Sequence, residues 1–335
     1  MSPAEYRLPA TLTDFQRKMY VHLIDWKRAN ITSEPGTYRG HVYDALLPES
    51  YAGKLPHLYE PVRNRFLEHQ KRFPFKTHKF ADHMASSQIA CANLFLPLIQ
   101  HPAEAARILS ELKPDLASIA VEHLDQGFRV EFWDEPDNML NDHNRSTGTD
   151  SDFAIAYRNH DGVLCLWLIE HKLTESEFTT CGGAKSKGRI VGRHACTPMA
   201  QIMKCPDLCY YHSACSYNYW TITLAETEAF PTERLRRFTS CPFKGGMNQL
   251  WRNQLLAIAI ERANQWSYQQ VYFSVVRHPQ NQALDASIEA FHELTGATDR
   301  FFTFTPEPIV RAAKRADESA LHAWAQWYGD LYAVE

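Results

Sequence analysis

The ten residues Val163 to Lys172, VLCLWLIEHK, constrain the fold more than any other stretch of the chain. Apolar side chains occupy successive positions, so a strand built from them is covered on both faces and belongs in the middle of a sheet. A turn signal, His160-Asp161-Gly162, precedes it, and before the turn Asp152 to Tyr157 reads as a second apolar strand. The pair predicts a hairpin. Upstream, Thr13 to Gln16 fits a capping box opening a helix with Phe15, Met19, Leu23 and Trp26 on one face. Pro35 to Pro56 reads as loop, His83 to Leu98 as a buried helix rich in small residues, Pro102 as the start of a helix that Pro114 stops, and Phe128 to Trp133 as a strand. Downstream, Tyr217 to Leu224 reads as a strand, Met247 to Ala263 as a long helix, Gln270 to Val276 as a strand and Ala283 to Leu294 as a helix. Phe301 to Phe304 is short and extended, and Pro306 or Pro308 opens a last amphipathic helix toward Tyr332. Stripped to its core, the order is αβββαβ.

Composition enters by exclusion. No window approaches 18 uninterrupted apolar residues, so no membrane span is expected. The opening residues lack a basic stretch followed by an apolar run, so no signal peptide is expected and the chain is placed in the cytoplasm. Lys and Arg number 35 against 39 Asp and Glu, a net charge of −4, which excludes a whole-protein basic field. Basic character is local. From Phe178 to Pro206 there is no acid, while Lys185, Lys187, Arg189, Arg193 and Lys204 fall in that stretch. Arg234, Arg236, Arg237, Lys244 and Arg252 form a second basic block. Such runs suit phosphate-backbone contact, with solvated loop charge as the plain alternative.

The chemistry gathers at the end of the central strand, Ile169-Glu170-His171-Lys172. Alternate side chains of a strand share a face, so Glu170 and Lys172 point the same way and His171 the other. An ion pair is the plain reading. Asp152, eighteen positions upstream across the short hairpin, changes the weighing. If the strands pair, Asp152 lies near Glu170, and two carboxylates converge where they would repel without a cation. Oxygen donors of this kind suit Mg²⁺, and the lysine can polarise an attacking water or offset charge developing on a phosphate. No GxxxxGK[ST], GxSxG or HExxH pattern is present, so a P-loop motor, a serine hydrolase of that type and a zincin are not indicated.

On the order αβββαβ, Asp152 followed by Glu170-His171-Lys172 resembles the PD-(D/E)XK nuclease superfamily. Three stretches resemble, more narrowly, a bacterial group of restriction-endonuclease-like proteins: HMASSQ at 83–88 with Asn93-Leu94-Phe95, IEHKLTE at 169–175, and QLWRNQLL at 249–256. The resemblance spans about 80 to 280. It implies an α/β fold, a restriction-endonuclease-like core with a mixed central sheet flanked by helices. It implies a domain 81–300 carrying a Cys- and Lys-rich insertion at 173–247, behind a helical extension 1–80 and before a helical segment 301–335. The activity it implies is hydrolysis of DNA phosphodiester bonds with Mg²⁺ or Mn²⁺, in restriction or phage defence. A catalytically inactive nuclease fold acting as a nucleic-acid-binding or scaffold protein is the alternative. By the superfamily pattern Asp152 and Glu170 hold the metal and Lys172 is the catalytic lysine. Glu131 is the positional match for a third carboxylate, and Asp150 rivals Asp152. Gln249 and Arg252, three apart on the helix after the sheet, share a face toward the site as candidate phosphate or water contacts. Ser87 and Gln88 open the buried helix as candidate supports behind the site, with capping or helix packing as the plain alternative. Partners expected are DNA and either a second copy of the chain or a subunit of a defence system, with no membrane.

Eight cysteines without a signal peptide argue against a disulfide framework. Five fall between 181 and 215, where apolar residues look sparse. Cys196, Cys205, Cys209 and Cys215, with Cys181, His194 and His212 nearby, are candidate ligands for a structural Zn²⁺ or iron–sulfur cluster, and buried free thiols are the alternative.

Overall fold

A computed structural model of the protein describes residues 6–144, 147–185, 198–296 and 298–335. In chain order it begins with helix α1 (Asp14–Asn30), the hairpin strands β1 (Gly36–Tyr38) and β2 (His41–Tyr43), α2 (Glu60–Arg72), α3 (Ser87–Ile99) and α4 (Pro102–Leu109). Strands β3 (Leu116–Ile119), β4 (Phe128–Phe132), β5 (Ser151–Asn159) and β6 (Leu164–Lys172) follow. Short helices then cross the insertion: α5 (Gly182–Lys185), α6 (Met199–Lys204), α7 (Tyr210–Ser213), α8 (Tyr219–Ala225) and α9 (Thr232–Leu235). The chain closes through α10 (Met247–Arg262), β7 (Gln270–Arg277), α11 (Asp285–Thr295), β8 (Phe301–Phe304), α12 (Glu307–Ala313) and α13 (Ser319–Tyr332).

The expected α/β architecture is present. Six strands form a mixed sheet in the order β3-β5-β6-β7-β8, with β4 also paired to β5. β5 and β6 make the anticipated antiparallel hairpin, and β7 and β8 run parallel to their neighbours. Every residue of β6 is buried, as a doubly covered central strand requires. Its side chains alternate between two cores. Cys165, Trp167 and Ile169 enter a core built with α1 to α4, α12 and α13, while Leu164, Leu166 and Leu168 enter one built with α10, α11 and the insertion. Residues from both 1–80 and 301–335, including Leu23, Phe66, Trp324 and Tyr328, contribute to the first core.

Several local readings are corrected. Pro35 to Pro56 reads as loop, but it holds the β1–β2 hairpin. Arg39 and Gly40 both adopt positive φ, at 49° and 77°, giving the tight turn whose twist suits a two-residue hairpin. Tyr217 to Leu224, expected as a strand, is helical as α8, because Tyr219, Trp220 and Thr223 bury one helical face. The insertion is also less polar in effect than it looks. Phe178, Met199, Ile202, Trp220, Phe230, Leu235 and Phe243 are all buried in the second core. The short strand β3 has no counterpart in the sequence reading.

One departure from regular strand geometry lies at the site. Phe128 and Val130 of β4 face the first core, and strict alternation would send Phe132 there too. Phe132 instead lies in the second core. The switch occurs at Glu131, whose φ is +49°. A non-glycine residue held in the left-handed region costs on the order of 1–3 kcal/mol and persists only where its surroundings impose it. The start of β4 is tied down by α2: buried His69 accepts from the Val130 N–H at 3.1 Å through Nε2. Its Nδ1 lies 2.7 Å from Asp125 Oδ2. The Val130 bond needs an unprotonated Nε2, so the proton sits on Nδ1 and His69 is the donor to Asp125.

Candidate functional site

The sheet register sets three carboxylates in a row. The pairs Val130↔Phe153 and Phe132↔Ser151 put Glu131 opposite Asp152, and the pair Phe153↔Ile169 puts Asp152 beside Glu170. These come from three adjacent strands, β4, β5 and β6. Lys172, two residues beyond Glu170 on the same face, places Nζ 2.7 Å from Glu170 Oε1. Glu170 is 2% exposed and Lys172 8%, so the pair lies within the protein.

Helix α10 clamps Glu170 from the other side. Gln249 Nε2 donates to Glu170 Oε1 at 2.7 Å, and Asn253 Nδ2 donates to Oε2 at 2.9 Å. The two amides stand four apart, one turn on the same helix face. Gln249 is itself oriented, because its Oε1 accepts from the Thr179 N–H at 3.0 Å. Asp152 Oδ2 accepts from the His171 N–H at 2.7 Å. Gln88 of α3 donates to Glu131 Oε1 at 2.8 Å, and its own Oε1 accepts from the His78 N–H at 2.9 Å. Every carboxylate in the row is thus aimed by an N–H donor from a fixed element.

The electrostatics of the row are one-sided. Burial pushes the Asp152 carboxyl well above its ordinary range, and the negative charges of Glu170 and Glu131 push it further. Lys172 and the His171 N–H act against this without reversing it. Glu131 is raised to about 8, chiefly by burial and with help from Asp150 and Glu170, although the Gln88 hydrogen bond opposes the shift. Burial disfavours the Lys172 ammonium, but Glu170, Glu175 and Asp152 outweigh it and hold the lysine above its usual value, firmly protonated. His171 points away from the row; burial lowers its imidazole to about 3, and Lys172 and His278 add to the effect, so it is neutral. Asp152 and Glu131 are thus held toward the protonated form, and a cation taking the place of those protons would relieve the repulsion within the row.

The other sequence candidates lie elsewhere. Asp150 is 3.1 Å from His143 Nε2, and His143 stacks on Trp133 with centroids 3.9 Å apart. Asp150 is therefore engaged at the edge of the row, while Asp152 stands in it. Arg252, expected as a phosphate contact sharing a face with Gln249, is turned inward. It donates to the Gly148 carbonyl at 3.2 Å, and its neighbours Tyr219 and Asp142 hold the guanidinium charged against the effect of burial. The helix partner that reaches the site is Asn253, one residue further on. The i, i+4 spacing of Gln249 and Asn253 was the signal that could have found it.

Lys187, Arg189, Arg193, His194 and Cys196 lie outside the described residues, as does the side chain of Lys185. Cys181, Cys205, Cys209 and Cys215 are not disulfide-bonded. Burial raises the Cys209 and Cys215 thiols, and the neighbouring Cys181 adds to this at both. Among the described residues, no group of three or more His, Cys, Asp or Glu side chains forms a ready-made metal cage. No helix there is long and apolar enough to cross a membrane.

No curated protein and no solved structure matches this chain. A family model does, that of the restriction endonuclease associating with ARP, over residues 21–333. That span takes in every strand of the sheet and all three members of the carboxylate row, together with Lys172 and the α10 clamp, and the chain belongs to this restriction-endonuclease family.

Proposed function

We propose that the protein is a divalent-metal-dependent DNA endonuclease of the PD-(D/E)XK type. The observation that carries this reading is the row Glu131–Asp152–Glu170 beside a buried, protonated Lys172. As a stability device it makes little sense, because desolvated carboxylates set side by side repel. As a site for a hard cation on a phosphodiester it makes sense at each position.

The donor set fits Mg²⁺ or Mn²⁺. It consists of carboxyl oxygens that a bound cation would hold ionised, and Mg²⁺ is commonly held by one or two carboxylates plus waters and phosphate oxygens, so a closed protein cage is not required. Asp152 and Glu170 would hold the ion, with Glu131 next to them. Bound there, it would supply Lewis-acid polarisation of the phosphate and a more acidic water. The chain's own residues do the rest. Gln249 and Asn253 keep the Glu170 carboxylate from rotating. Lys172 keeps its proton, so it presents fixed positive charge where the phosphate gains negative charge in the transition state. Its 2.7 Å contact to Glu170 also lets it orient a water hydrogen-bonded between the two.

The family's description pairs its members with ARP, and we extend that association to this chain. The test of the nuclease reading is incubation of the purified protein with plasmid DNA in Mg²⁺, in Mn²⁺ and in EDTA, beside Lys172→Ala and Glu170→Ala. Cleavage is expected with the metals only and not from either variant, with DNA binding by Lys172→Ala retained. Full cleavage in EDTA would refute it.

A further inference from the structure

A concavity is linked to the carboxylate row. Its volume is about 510 Å³, and its walls include Tyr20, Tyr38, Tyr43, Phe80, His83 and Glu175. Thr174 and Glu175 also line it, only two and three residues beyond Lys172. At a strand rise of about 3.3 Å per residue the cavity therefore begins within about 10 Å of the lysine backbone. It is also tied to the row through Gln88, which joins His78 of the cavity wall to Glu131.

The walls have the chemistry of a nucleotide. Tyr38 and Phe80 meet edge to face with centroids 5.1 Å apart, and Tyr20 lies 5.0 Å from the His83 ring. Tyr38 and Tyr43 occupy one face of the β1–β2 hairpin, where the register sets Gly36 against Tyr43 and Tyr38 against His41. The lining carries two acids, Glu175 and Glu177, and two cations stand beside its rings. Exposed Lys79 lies 4.8 Å from the centroid of the Phe80 ring, and exposed Arg39 lies 5.3 Å from that of Tyr38. An aromatic ring carried between two phosphates needs both parts.

The polar group is Glu175. Its Oε2 accepts from the Leu173 N–H at 2.8 Å and the Thr174 N–H at 3.0 Å, which fixes the carboxylate. A carboxylate offers about four acceptor sites, so capacity remains for a base edge that donates. Adenine, cytosine and guanine present an exocyclic amine, and thymine does not.

Resting on the nuclease reading above, we propose that this cavity receives a single nucleobase turned out of the DNA duplex. Its faces lie between the Tyr38/Phe80 and Tyr20/His83 walls and its amino edge on Glu175, while the flanking phosphates meet Lys79 and Arg39. Turning out a base is least costly where it is unpaired, so a duplex with one unpaired base is the natural probe.

The test measures binding of the full chain in EDTA by fluorescence anisotropy, with 20-base-pair duplexes fully paired, carrying one unpaired cytosine, or carrying one unpaired thymine. The unpaired cytosine should bind about tenfold more tightly than the paired duplex, the gain expected of one stacked base. Phe80→Ala should erase that gain and leave paired-duplex affinity unchanged. Tyr38→Ala, on the partly exposed hairpin, checks the same wall without touching a core side chain. Glu175→Gln should lessen or reverse the preference for cytosine over thymine. Equal affinity for paired and unpaired duplexes, or a preference that survives both aromatic variants, overturns the proposal. The two readings fail separately. Plasmid cleavage with no unpaired-base preference sinks the cavity alone, and the preference without plasmid cleavage sinks the nuclease alone.

Discussion

Glu131→Gln isolates the energetic cost of the carboxylate row. The wild-type carboxyl is raised to about 8 in the folded protein, mainly by burial, against an ordinary value near 4.5. The folded state therefore binds a proton that the unfolded state releases between about pH 4.5 and pH 8. Stability falls as pH rises through that window, because the unfolded state binds fewer protons there. The full effect is present below about pH 4.5 and gone above about pH 8. A tenfold change in proton affinity is worth about 1.4 kcal/mol, so Glu131 sets a ceiling of about 5 kcal/mol on the stability lost across the window. The interaction with Asp152 and Glu170 brings the observable loss below that ceiling. Glutamine keeps the shape and the hydrogen bond to Gln88, and it carries the same +49° backbone, so strain cancels between the two proteins. Urea unfolding in EDTA at pH 5 and pH 8.5 is the assay. The variant should match the wild type within about 1 kcal/mol at pH 5 and exceed it by a few kcal/mol at pH 8.5. Mg²⁺ at pH 8.5 should stabilise the wild type more than the variant. Parallel loss of stability in both proteins between the two pH values would refute the reasoning.

Three further outcomes are expected. Gln249→Ala and Asn253→Ala each remove a hydrogen bond to an ionised carboxylate, worth roughly 1.5–3 kcal/mol, so each should lower kcat by about ten- to a hundredfold with little change in DNA affinity; a pure loss of affinity would mean that α10 contacts DNA instead. Replacing Lys185, Lys187, Arg189 and Arg193 by Ala should weaken binding to all DNA sequences alike and flatten the dependence of affinity on salt, and an unchanged slope would show that these residues do not meet phosphates. Chelation with 1,10-phenanthroline should leave near-ultraviolet circular dichroism unchanged, since the insertion buries Phe178, Trp220 and Phe243 in an apolar core; a collapse of the signal would point to a thiolate-bound metal holding 181–215.

Much of the core could be read from periodicity. β6 is apolar at every position before Glu170, and only a central strand tolerates that, so its place, its hairpin with β5 and the convergence of Asp152 on Glu170 all follow from one run and one turn. Gln88, at the start of α3, reads first as a capping or packing residue and second as a support behind the site, and in the structure it donates to Glu131. What stayed hidden depends on events that leave no period. Glu131 shares the face of Asp152 by strand alternation and is legible as the third carboxylate, but the φ of +49° at which its strand changes face leaves no signal in the sequence. Arg252 looks like a ligand for phosphate because it is charged and three residues from Gln249, yet the Gly148 carbonyl and the Tyr219–Asp142 pair draw it inward. The insertion looks polar because its apolar residues are scattered singly, and only the closing of 173–247 over the sheet brings them into one core.

The row also explains why its supports are amides. A buried carboxylate pair could be quieted by arginines, and the resulting network would be stable but closed to a substrate. Here Glu170 receives two neutral N–H donors from Gln249 and Asn253, Glu131 receives one from Gln88, and Asp152 receives a backbone N–H. Neutral donors fix the direction of each oxygen without neutralising it, so a cation that binds later can still draw out its charge. Among the described residues only Lys172 brings opposite charge, and it meets Glu170 with a single ammonium, a point charge on a flexible stem that can turn from carboxylate to phosphate. An inactive scaffold would gain from trading this arrangement for packed apolar side chains. That this arrangement stands here supports the proposed hydrolysis over an inactive fold.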